Sequence, residues 1–263
     1  MKIAFSGNEK CSISNMLVMA LAIHSQCNGS VLLIDASFRK TYLEDAFKGE
    51  DNLYIKEEAY YGIKEGMDYM LYRMNTGAYN SSFTKEGVTY ITSDFAYVKS
   101  AVRGNIYEYR QNFKEHAAKL LDEWSREFDF VMIRCDDVTS GFASHIIDCC
   151  DVCVACFEQE QLRNSTDIIY KINKKRHFFI MVGHVIGDLH NEKQFLTRIC
   201  RINEDKIAYL PYNSFFDVRT RAGRILKFFN SENSENSNSL LVEEFVKQTK
   251  FVLHKFRKWL EAI

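Results

Sequence analysis

The segment Ser6-Gly7-Asn8-Glu9-Lys10-Cys11-Ser12-Ile13-Ser14-Asn15 closes the first apolar run and leads into a helical pattern. A turn in that position can offer backbone N–H groups and a helix N-terminus to an anion. Lys10 could swing onto a phosphate, and Ser14 carries a hydroxyl of the kind that ligates Mg²⁺. Asp35, Asp136 and Asp137 fall at the carboxyl ends of apolar runs, where a parallel sheet collects its ligands, and could hold a metal through water. The structural alternative is that Asp35 caps or tethers the first helix and that Asp136-Asp137 N-cap a later one.

Other constellations point to less chemistry. Cys149, Cys150, Cys153 and Cys156 have a spacing resembling a metal run. Cys153 and Cys156, however, fall three apart on one expected strand, so they face opposite ways and cannot share an ion. Buried, they behave as small hydrophobes. The seven histidines lack zinc-hydrolase spacing, and Ser144-His145 are helix neighbours that cannot face each other. Basic residues gather at Lys171–Arg176 and at Arg219, Arg221, Arg224 and Lys227. They read either as a DNA-contacting patch or as cations offsetting a helix dipole at its C-terminus.

The elements that must position these residues alternate along the chain. Strand patterns are Ile3–Ser6, Val31–Asp35, Val88–Thr92, Phe130–Arg134, Val152–Phe157, His177–Val182 and Lys206–Leu210. Most are almost continuously apolar, as strands buried on both faces should be. Helical patterns are Ser14–Ser25, Ile63–Met74, Ile106–Phe128, Gln161–Lys174, Glu192–Ile202 and Phe215–Phe228. Such alternation predicts right-handed βαβ units in an α/β fold: a doubly wound, mostly parallel sheet of about seven strands with helices on both faces. That sheet accounts for residues 1–229 as one domain. A polar loop covers 75–86, a polar linker covers 230–239 (NSENSENSNS), and an amphipathic helix follows over 240–263. The helix is predicted either to pack on the sheet or to lie on a membrane surface.

The chain has 263 residues, with 34 Lys plus Arg against 35 Asp plus Glu and a formal net charge of -1. That balance gives no global attraction to nucleic acid or anionic lipid. At 46% hydrophobic and 26% charged, the sequence is neither disordered nor fibrous. No apolar run reaches the roughly 20 residues of a membrane span, and the first residues do not read as a signal peptide. Eight cysteines in that setting are expected to be reduced thiols of a cytoplasmic protein.

The frame resembles the ParA/MinD family of deviant Walker ATPases. Val31-Leu32-Leu33-Ile34-Asp35-Ala36-Ser37-Phe38 is similar to the family's "vLLIDaDf", and Phe128-Asp129-Phe130-Val131-Met132-Ile133-Arg134 to its "yDfviiD". Cys150–Ala155 resembles "aDevivv", and Leu210-Pro211-Tyr212 resembles "iPyd". The resemblance runs from residue 1 to about 224, in order. It implies a P-loop NTPase-like fold and a phosphate loop drawn from Gly7, Asn8, Lys10, Cys11, Ser12, Ser14 and Asn15, with Asp35 and Asp136 beside it. Against that pattern the chain departs at its chemistry. The loop's three glycines are gone, Asn8 replaces the signature lysine, and Ile13 replaces the lysine that pairs with the β- and γ-phosphates. Ser37 replaces the second aspartate of the DxD pair, and Arg134 replaces an acid where Mg²⁺ would be held. Phosphoryl transfer depends on positioned charge, a metal and an oriented water.

The expectation is therefore a ParA/MinD-like protein with a degenerate, non-hydrolysing site. It needs no cofactor, and ATP with Mg²⁺ is the alternative. Its expected role is positioning or assembly through protein partners, with any self-association a nucleotide-independent dimer. Within the family, the TadZ/CpaE-like pilus-assembly branch is the leading match. Two competing readings are an atypical ATP switch using Lys10, Ser14 and Asp35, and a DNA-associated partitioning factor. Location is expected to be cytoplasmic, with peripheral contact at the inner membrane as an alternative.

Overall fold

The computed structural model describes residues 1–40, 42–49, 66–77, 87–175, 177–226, 228 and 239–263. The first strand, β1 (Lys2–Gly7), runs straight into α1 (Glu9–Cys27) and returns as β2 (Val31–Asp35). Then come α2 (Tyr42–Phe47), α3 (Gly66–Asn75), β3 (Val88–Tyr90), β4 (Phe95–Val98), α4 (Ile106–Glu127), β5 (Phe130–Cys135) and α5 (Gly141–Asp148). The second half holds β6 (Val152–Glu158), α6 (Thr166–Ile172), β7 (Phe178–Val185), α7 (His190–Gln194), β8 (Ile207–Pro211), α8 (Ser214–Arg221) and the C-terminal α9 (Ser239–Glu261).

Eight strands form one sheet in the order β3-β4-β2-β5-β1-β6-β7-β8. Every pairing is parallel except β3 with β4. Alternation along each strand divides its side chains between two cores. Ala4, Leu32, Ile34, Val131, Ile133 and Cys153 join α3, α4, α5 and α6 on one face. Ile3, Phe5, Val31, Leu33, Met132 and Cys156 join α1, α2, α8 and α9 on the other. The expected placement of Cys153 and Cys156 on opposite faces holds, and all eight cysteines are free thiols. Among the described residues there is no group of three or more His, Cys, Asp or Glu that could hold a metal. Nor is any described helix long and apolar enough to cross a membrane.

Several elements differ from their sequence patterns. The sheet has eight strands because Phe95–Val98, four buried residues, forms a separate parallel strand beside β2. The six-residue α2 was not anticipated, since it has fewer than two turns on which a period can show. The pattern at 161–174 opens as a 3₁₀ turn (Gln159–Ser165) before α6, and the one at 215–228 stops its regular helix at Arg221. The start of the 63–74 helix, most of the 75–86 loop, Arg176, Lys227 and nearly all of the 230–239 linker lie outside the described residues. The C-terminal helix packs on the sheet: Phe245, Val252, Leu253, Phe256 and Trp259 are buried in the same core as α1.

Candidate functional site

The expected phosphate loop is where structure and expectation diverge most. Helix α1 begins at Glu9 and not at Ser14, so Lys10 to Ser14 form its first turns and not a loop. The local cause is legible. With the glycines absent, nothing in Glu9-Lys10-Cys11-Ser12-Ile13 opposes helix, and an acid in the first turn favours the helix dipole. Asn8 caps it, its Oδ1 accepting the Lys10 N–H at 3.0 Å, while its C=O accepts the Ser12 N–H at 2.8 Å. Gly7 keeps one requirement of the family's turn. Its φ is +148°, and a Cβ there would lie 2.1 Å from the Cys156 carbonyl oxygen.

Side chains of that first segment point to different tasks. Cys11 and Asn15 are buried against β7, and Asn15 Nδ2 donates to Cys11 Sγ at 3.4 Å. A Cβ on Gly183 would sit 2.7 Å from Asn15 Oδ1, so that glycine admits the asparagine. Burial pushes the Cys11 thiol up to about 12, leaving it protonated and inert. Cys11 and Asn15 are thus core residues and do not face a phosphate. Ile13 is buried, Ser14 is half-buried, and Lys10 is exposed on the helix surface.

What the structure brings together is a charge network. Strands β2 and β5 pair with Asp35 directly opposite Arg134. Both are almost wholly buried, at 1% and 2% exposure, and Arg134 Nη1 lies 3.3 Å from Asp35 Oδ1. The same guanidinium donates from Nε to Ser12 Oγ on α1 at 3.3 Å and lies 3.6 Å from Asp136 Oδ1. Asp136 also pairs with Arg110 of α4 at 2.9 Å, and its carbonyl oxygen accepts from Ser6 Oγ at 2.8 Å. Burial raises the pKa of Asp35, and the Arg134 charge opposes that rise. Asp35 therefore tethers the first helix only indirectly, through Arg134 and Ser12. Asp136 and Asp137 do not cap α5. Ser140 does, accepting the Ala143 N–H at 3.0 Å, while Asp137 Oδ1 accepts the Thr139 N–H at 2.7 Å.

Arg110 was missed in the sequence because nothing in a helix repeat marks which surface arginine will reach a strand end. The Asp35–Arg134 pair carried half a signal: opposite charges end two strand patterns, but β3 and β4 intervene in the chain, and only the sheet order places β2 beside β5. In the basic patch, Arg219, Arg221 and Arg224 are exposed, with Arg221 4.0 Å from Asp217. They lie around the C-terminal end of α8, where cations offset the helix dipole.

No protein-family model matches the chain, and no curated protein does. Solved structures do. A ParA family ATPase from Chlorobium tepidum TLS superposes with a TM-score of 0.69 at 10% identity, covering 96% of this chain and 98% of the other. The fold is that of the ParA/MinD ATPases. A plasmid partition protein from Borrelia burgdorferi B31 bound to AMPPNP gives a TM-score of 0.63 at 13% identity, with 98% of each chain covered. MinD in the MinC:MinD complex of Aquifex aeolicus gives 0.62 at 11%, covering 96% of this chain and 95% of that one.

Proposed function

We propose that this chain is a non-hydrolysing protein of ParA/MinD type that positions or assembles other proteins without a nucleotide cycle. The observation carrying this reading is Arg134. It supplies a fixed, buried positive charge beside Asp35 and Asp136, where the fold's Mg²⁺ and phosphates would call for oxygen ligands around a free cation. Its charge repels a metal, and the helical start at Glu9 removes the open loop that would wrap a triphosphate. The residues present do not fit Mg-ATP, and no catalytic step is assigned to them.

Arg134 instead joins α1, the end of β2 and the loop after β5, and Arg110 extends that link to α4. A tethered guanidinium thus sets the segments around the site in one arrangement without a ligand. Beside them, Val102, Ile106 and Tyr107 are exposed, Tyr107 at 83%, which suits contact with a protein more than with a polar cofactor. Among solved proteins of this fold, the Aquifex MinD is found in a complex with MinC. Protein binding is accordingly the proposed activity, pilus assembly in the manner of the TadZ/CpaE-like branch the proposed setting, and any dimer nucleotide-independent. Sedimentation with and without Mg-ATP tests this. An unchanged mass is expected, and an ATP-driven monomer-to-dimer shift would overturn it.

A further inference from the structure

The last strand in the sheet order, β8, has a neighbouring strand on one side only. The Tyr212 N–H donates to the Val185 carbonyl of β7 at 3.0 Å, and the bulge in this pairing lies on β7, so alternation along β8 is undisturbed. Tyr209 therefore turns its N–H and C=O away from β7, toward the open edge. That edge is short. The Ile207 N–H already donates to the Glu204 carbonyl, and Pro211 has none to give. Along the same edge, α9 and β8 enclose a groove of about 450 Å³ whose lining includes Tyr209, Pro211, Glu244, Gln248, Phe251 and Lys255. The helix runs antiparallel to the strand. Its start lies beside the end of β8, where Asn213 Nδ2 donates to the Leu241 carbonyl at 3.2 Å, while Lys255 feels the charges of Glu204 and Asp205, just before β8.

Glu244, Gln248, Phe251 and Lys255 follow at steps of four, three and four, which places them in one stripe on α9. Phe251 stands 63% exposed within it. Opposite charges end the stripe, and among the described residues neither is closed by a counter-ion. Glu244 accepts only from Gln248 Nε2 of its own helix, at 2.8 Å, and Glu204, near Lys255, is taken by Lys193 at 2.6 Å. Burial lowers the pKa of Lys255 against the pull of Glu204 and Asp205, so a close carboxylate there would be favourable. The stripe is its own complement. Laid antiparallel against a copy of itself, it sets Glu244 against Lys255 and Gln248 against Phe251, each twice, because the two pairs share a midpoint. A twofold axis through Tyr209, which lies between the two charged ends, also lets two Tyr209 residues exchange N–H and C=O. With Ile207 and Pro211 unable to donate, such pairing closes at two chains and builds no longer ladder.

We propose that the open edge of β8 and the Glu244–Lys255 stripe of α9 form the face on which a second copy of this chain docks as a twofold dimer. This gives the nucleotide-independent dimer proposed above a surface and rests on that reading, although the face uses no residue of the Arg134 network. Sedimentation of the full chain through a dilution series, without nucleotide, tests it, and the mass of two chains is expected. Glu244→Lys alone or Lys255→Glu alone should sediment as one chain, since each sets like charges against each other across the axis. An equal mixture of the two variants should recover the two-chain mass, because every charged contact in the mixed dimer is again between opposite signs. Should Lys255→Glu fail to fold by circular dichroism, Phe251→Ser, at an exposed position, should also give one chain and carries the test with Glu244→Lys. A nucleotide-independent dimer that survives both Glu244→Lys and Phe251→Ser would overturn this face alone. A single chain at every concentration that pairs only with Mg-ATP would overturn the reading above as well.

Discussion

Arg134 and Asp35 form a buried ion pair, and the energetics of removing such a pair are specific. Removing one member of a buried ion pair leaves an uncompensated charge, typically costing 3–5 kcal/mol, whereas replacing both by neutral groups of similar size is often tolerated. Asp35→Asn and Arg134→Met should each therefore destabilise by about 3–5 kcal/mol. Asp35→Asn with Arg134→Met should cost much less than the sum, read by urea unfolding as a double-mutant cycle. A strictly additive cycle would contradict the pairing.

The elements show what was legible beforehand and what was not. Strands β1, β2, β5 and β6 read correctly because burial on both faces makes them continuous apolar runs, a signal that needs no partner to interpret. The start of α1 did not, because the resemblance placed a loop where the residues themselves prefer helix. Its glycines are absent, and the local propensity prevailed. Asn15, read as a phosphate contact, turned inward for a reason visible only in three dimensions: Gly183 on β7 leaves room for it. Gly7 alone keeps its place at the turn, so Gly7→Ala, forcing a Cβ against the Cys156 carbonyl at 2.1 Å, should lower the urea midpoint markedly. A neutral substitution would mean that β1 and β6 are not so close. Two turns at the opposite end of the sheet are tied by Asp129, whose Oδ2 accepts from Ser30 N–H and Oγ at 2.9 and 2.8 Å. Those bonds hold its pKa below the usual value. The stability it contributes is thus present above the ordinary carboxylate pKa and lost as pH falls through the lowered one. Ser30→Ala should move the Asp129 titration, followed by NMR, upward.

On the scale of the whole molecule, helices on both faces close a sheet that would otherwise expose a broad apolar surface. The C-terminal helix contributes Phe245, Val252, Leu253, Phe256 and Trp259 to one core, and burying each such residue stabilises by about 1.5–3 kcal/mol. Their sum rivals a typical net stability of about 5–15 kcal/mol. A chain ending before Ser239 is therefore expected to be insoluble or to lack a cooperative transition in circular dichroism. A soluble, cooperatively folding truncation that lost only liposome binding would make α9 a membrane element.

The proposal that a fixed guanidinium stands where Mg²⁺ and phosphate would bind rests on Arg134. It is tested most directly by calorimetric titration of the full chain with Mg-ATP, in wild type and in Ser14→Ala. No saturable heat is expected in either protein. Saturable binding by wild type that Ser14→Ala abolishes would contradict it, because the serine would then be holding a metal that Arg134 is argued to exclude.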